Sequence, residues 1–75
     1  MTLYEFKLLN EQEQYNITWE KGKLIDARMD EQYKFLLYKI DDFYVEIKYN
    51  AEANRIEALK SFNSVMPLIN YLNLN

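Results

Sequence analysis

Two adjacent acid pairs, Asp30-Glu31 and Asp41-Asp42, are the first residues in this chain that suggest chemistry, because two neighbouring carboxyls can divide general acid and base roles. Lys39 and Lys48 are the candidate amine nucleophiles, if burial lowers their pKa. Ser61 and Ser64 are the only hydroxyl nucleophiles of the serine type. Each of these chemistries needs a partner. The chain has no His and no Cys, so neither serine has an imidazole to take its proton, and no Gly-x-Ser-x-Gly elbow surrounds either. The acid pairs fall at predicted strand ends, where adjacent side chains point to opposite faces and do not converge. Turn formation explains them better. Calcium or magnesium needs several converging oxygens, and Asp-x-Asp spacing in a glycine-bearing loop is missing. Gly22 is the single glycine, which removes the glycine-rich turns of nucleotide sites. Nothing distinguishes Lys39 or Lys48 from lysines solvated on a strand face. The residues therefore predict a protein that is not an enzyme, with no cofactor and no metal site.

The elements that carry these residues belong to one domain, 1–75, near the lower size limit for independent folding. A core of this size supplies roughly 3–5 kcal/mol of net stability. Nine basic against twelve acidic residues give a net charge of −3, which favours solubility and disfavours sequence-independent binding to nucleic acid. No apolar run is long enough to span a bilayer, and the start, Met1-Thr2-Leu3-Tyr4-Glu5, lacks a basic-then-apolar leader. The expected location is cytoplasmic. Absent cysteine fits a reducing compartment, and Asn16-Ile17-Thr18 is then not a glycosylation site.

Period-2 alternation dominates the chain. It predicts strands over about 3–9 (Tyr4, Phe6 and Leu8 on one side), 14–20 (Tyr15, Ile17, Trp19), 23–29, 43–49 and 55–62. Gly22 is expected in a tight hairpin, where positive φ costs least. Residues 33–40 fit a helical stripe of Tyr33, Leu36, Leu37 and Ile40 as well as a strand. Their aromatic content and short span favour a strand, placed centrally because both its faces are apolar. After 62 the period changes: Val65, Leu68, Ile69 and Leu72 predict an amphipathic helix over about 65–73, with Ser64 as its cap. The fold expected is α+β, a curved antiparallel meander of about six strands with one C-terminal helix packed on one face. One short helix covers about half of such a face.

Seven Tyr, four Phe and one Trp are many for this length. Core and cross-strand packing uses most of them, but Tyr and Trp also anchor interfaces. In the meander, Tyr38 and Tyr44 are expected to point away from the Phe43–Val45–Ile47 face. With Leu36 and Trp19 they would form an apolar patch on the sheet face the helix leaves bare. The run Phe35-Leu36-Leu37-Tyr38-Lys39-Ile40-Asp41-Asp42-Phe43-Tyr44-Val45-Glu46-Ile47-Lys48-Tyr49-Asn50, followed by the Asn50–Asn54 loop and Ser61-Phe62, resembles a group of short uncharacterised bacterial proteins with an "LYxxxxFYVE" core. That resemblance implies a stand-alone strand-rich domain and supports the strand at 33–40; it implies no activity. The function expected is a small protein-interaction module that self-associates, as a homodimer, through the open sheet face or an edge strand. The alternatives are a small-molecule binder with an apolar pocket between sheet and helix, and an antitoxin- or immunity-like partner of a larger protein.

Overall fold

Two helix caps set the N-terminal third of the molecule. A computed structural model describes residues 1–63; the helix expected over 65–73 lies outside the described residues. Thr2 accepts a hydrogen bond on Oγ1 from the Glu5 N–H at 3.1 Å and returns one from its own N–H to Glu5 Oε1 at 2.7 Å. This reciprocal capping box opens helix α1, Leu3–Leu8. Asn10 and Glu13 repeat it, with the Glu13 N–H donating to Asn10 Oδ1 at 2.8 Å, and open helix α2, Glu11–Lys21. The strands expected over 3–9 and 14–20 are thus helices. The burial pattern follows the helical period. In α1, Phe6 faces inward with Leu3 and Leu9 beside it, while Tyr4 and Leu8 are exposed. In α2, Thr18 is buried and Tyr15 and Ile17 flank it, while Trp19 sits half out of the protein.

The rest is a four-stranded antiparallel sheet: β1 Lys23–Met29, β2 Tyr33–Ile40, β3 Phe43–Asn50 and β4 Arg55–Phe62, in spatial order β1-β2-β3-β4. The fold is α+β, with four strands among the described residues instead of six. Residues 33–40 form a strand, inside the sheet. Each reversal uses short polar side chains. Asp30 Oδ1 accepts from the N–H groups of Gln32 and Tyr33 at 3.0 and 2.8 Å. Asp41 takes φ 52° in the β2–β3 turn, and Asn54 takes φ 55° after β3. Asn50 Oδ1 accepts from the Ala53 N–H, and its Nδ2 donates to Glu57 at 2.9 Å.

Gly22 does not make a hairpin. It joins α2 to β1 with φ −72°, and its N–H donates to the Thr18 carbonyl at 2.9 Å. Space, rather than φ, demands glycine there: a Cβ would lie 2.4 Å from that same carbonyl oxygen and 3.2 Å from Tyr38 Cδ1.

Both helices lie on one side of the sheet, α1 nearest β4 and α2 nearest β2. Phe6 is driven against Phe43, ring centroids 5.3 Å apart, and with Ile40, Val45 and Ile47 forms the fully buried core. The face that carries Val45 is therefore occupied by the N-terminal helices, a role the sequence pattern had given to residues 65–73. Gln14 Nε2 ties the two helices together by donating to the Phe6 carbonyl at 3.0 Å.

Candidate functional site

Strand register decides which aromatics share a surface. The two-residue turn Asp41-Asp42 pairs Ile40 with Phe43, so Tyr38 lies opposite Val45 and Leu36 opposite Ile47, on the helix side. Tyr44 lies opposite Lys39 and points the other way. Tyr38 and Tyr44 are thus separated by the thickness of the sheet, contrary to the expected common patch. Tyr38 does not turn from the Val45 face; it shares it.

On the helix side the structure brings three of the expected residues together. Trp19 meets Tyr38 edge-on, centroids 5.7 Å apart at 76°. Beside α2 lies a cleft of about 370 Å³ lined by Trp19, Lys34, Leu36, Ile47, Tyr49 and Ile56. Burial raises the Tyr38 phenol above its usual pKa, so it stays neutral beside this cleft. The apolar surface continues to the free edge of the sheet. Leu36 is paired with Ala27 and Tyr38 with Leu24. Between them Ile25 is an extra residue in β1, a bulge that brings Leu24 onto the same side as Ala27 and Met29. Strict alternation, which sets Leu24 opposite Ala27, misses this. Trp19 at the end of α2 and Leu24, Ile25 and Met29 along β1 are 50, 52, 45 and 65 % exposed.

Tyr44 belongs to the opposite face. It stacks on Phe62 at 5.8 Å and 25°, with the Lys39 ammonium 5.9 Å from its ring. Nearby, Lys48 lies 4.2 Å from the Tyr33 ring centroid and Arg28 4.8 Å from that of Phe35. Lys39 and Lys48, the amine candidates, are thus held against aromatic faces. Asp30 and Asp41 spend their carboxylates on local contacts. The Tyr33 and Gln32 N–H groups hold Asp30 below the usual carboxylate range, and the Met1 ammonium, 2.6 Å away, does the same for Asp41. Among the described residues no three His, Cys, Asp or Glu side chains gather as a metal site, and every buried side-chain polar atom has a partner. What this surface offers chemically is apolar area beside an unpaired strand edge.

No protein-family model, curated protein or solved structure matches the chain. No described helix is long and apolar enough to cross a membrane.

Proposed function

We propose that the protein is a non-enzymatic interaction module that acts as a homodimer, joined through the free edge of β1 and the apolar corner beside it. The observation that carries this reading is the exposure of Leu24, Ile25 and Met29 along an edge strand, with Trp19 at the end of α2. Unpaired N–H and C=O groups on such an edge recruit another strand. β1 is also complementary to itself. When two copies pair antiparallel about a two-fold axis at Ala27, Asp26 of each lies opposite Arg28 of the other. Asp26 and Arg28 face the same side of the sheet, so both pairs are opposite-charge contacts, worth roughly 0.2–1 kcal/mol each. The axis is perpendicular to the sheet, so the helix layers of both copies lie on one side and the two Trp19 corners approach each other.

Sedimentation velocity over a range of concentrations tests the reading. A dimer is expected, weakened by Asp26→Arg or by Arg28→Asp and recovered in the double variant. A monomer at every concentration, or a double variant no better than the singles, overturns it.

A second reading rests on the cleft, whose volume lies at the lower end for small-molecule sites. Trp19, the single tryptophan, stands at its mouth. An apolar ligand bound there would shift Trp19 emission; unchanged emission across a library of small apolar compounds removes this reading.

A further inference from the structure

The cleft beside α2 has apolar walls and a single charge. Two cross-strand rows on the helix side of the sheet contribute to it: Leu36 with Ile47, and Lys34 with Tyr49 and Ile56. Trp19, half exposed at the end of α2, completes the lining. The Tyr49 hydroxyl is spent on Asn54 Oδ1, a hydrogen bond that also fixes its ring. No Asp or Glu lines the cleft, so Lys34 is its one charged side chain. Among the described residues the Lys34 ammonium has neither an ion pair nor a hydrogen bond. The residue is half-buried, as long cations are when the carbon stem covers apolar surface and the head stays in water. Apolar walls with one convergent polar group are what hold and orient a small molecule.

On the second reading, in which this cleft is a small-molecule site, we infer that its ligand is an apolar monocarboxylate. The carbon body lies on Leu36, Ile47 and Ile56 against Trp19, and the carboxylate accepts from the Lys34 ammonium. Charge decides the class. A cationic ligand is repelled by Lys34, and a neutral one leaves the ammonium without a counter-charge. A carboxylate makes the charge-assisted hydrogen bond, the stronger kind. A phosphate or dicarboxylate brings further negative charge, for which the lining holds no second cation. The net charge of −3 opposes an anion at long range, but that repulsion is screened beyond ~8 Å at physiological salt, whereas the Lys34 contact is made at hydrogen-bond range. Volume decides the size. At ~30 Å³ per water-sized group, 370 Å³ holds about a dozen non-hydrogen atoms, which is a fatty acid of about ten carbons.

The test titrates decanoate, decanamide and decylammonium, which share one alkyl body, into the full chain below their micelle concentrations. Emission from Trp19, the single tryptophan, reports binding. Decanoate is expected to bind tightest. Nuclear Overhauser contacts from its chain are expected at the Leu36 and Ile56 methyl groups. Lys34→Met is expected to weaken decanoate about three- to fivefold, the loss of one partly exposed charge pair, and to leave decanamide unchanged. If decanamide or decylammonium binds as well as decanoate, or if Lys34→Met weakens all three alike or none, the carboxylate assignment is overturned while the cleft remains a binding site. If no probe shifts the emission, or the contacts fall elsewhere on the chain, the cleft reading fails and the assignment with it. The comparison among probes uses the unaltered protein, so it decides the matter even where Lys34→Met does not fold.

Discussion

At the scale of single residues, the side chains with the most reactive chemistry are occupied in shaping the backbone. Asp30 and Asp41 show the consequence in their titration. Their folded pKa values are depressed, so what they contribute to stability is present above the ordinary carboxylate range, about 3.9, and is lost as pH falls through the lower folded values. The Met1 ammonium, raised by the Asp41 contact, behaves in the opposite sense: its contribution is present below its usual value and fades as pH rises through the elevated one. Urea midpoints followed from pH 7 downward are expected to fall below about pH 4. Asp30→Ala should start from a lower midpoint at pH 7 and lose less of it on acidification. Gly22 makes a steric prediction. Because a methyl group would overlap the Thr18 carbonyl, Gly22→Ala is expected to cost about 1–3 kcal/mol in urea unfolding, although its φ suits any residue.

At the scale of elements, the two helices are too short to persist alone. Six and eleven residues fall below the ~12–15 that isolated helices need in water. Their existence rests on the two capping boxes and on burial of Phe6 and Thr18. Asn10→Ala is therefore expected to remove about 1 kcal/mol, with a parallel loss of helical circular dichroism near the midpoint. The strands differ from one another in the same terms. β2 and β3 are paired on both sides, whereas β1 is open at one edge, and the Ile25 bulge interrupts its ladder. A bulge of this kind protects an edge from indiscriminate pairing. It leaves the stretch from Asp26 onward as the regular part of β1, where the proposed two-fold axis falls.

At the scale of the molecule, stability depends on the packing of the helix layer against the sheet, with Phe6 on Phe43 at its centre. Phe6 is the fully buried residue that α1 contributes to the cluster on β2 and β3, with Leu3 and Leu9 packed beside it. Phe6→Ala is expected to cost about 3–5 kcal/mol, comparable to the whole net stability of a domain this small. Trp19 fluorescence, reporting α2 against Tyr38, should then be lost in the same transition as the sheet signal. A retained sheet with a lost Trp19 signal would mean that the layers fold separately.

Much of the fold was legible along the chain. The strands over 23–29, 33–40, 43–49 and 55–62 agree with the observed ones to within a residue, because alternation and the turn residues Asp30, Asp41, Asn50 and Asn54 point the same way. The N-terminal segments were misread because Tyr4-x-Phe6-x-Leu8 and Tyr15-x-Ile17-x-Trp19 alternate as well as any strand. The local signals that distinguish them are Thr2-x-x-Glu5 and Asn10-x-x-Glu13, which only a helix start can use on both partners.

Sequence alone determined the strands from 23 to 62 and the scarcity of catalytic partners, since each follows from residue type and nearest neighbours; the helices at the N-terminus it set down as two further strands. Which aromatics meet was decided only in three dimensions. A two-residue turn set Tyr38 against Val45, a bulge moved Leu24 to the side of Ala27, and packing of Phe6 chose the face the helices cover. Each depends on register between distant segments, and a shift of one residue in register exchanges the faces.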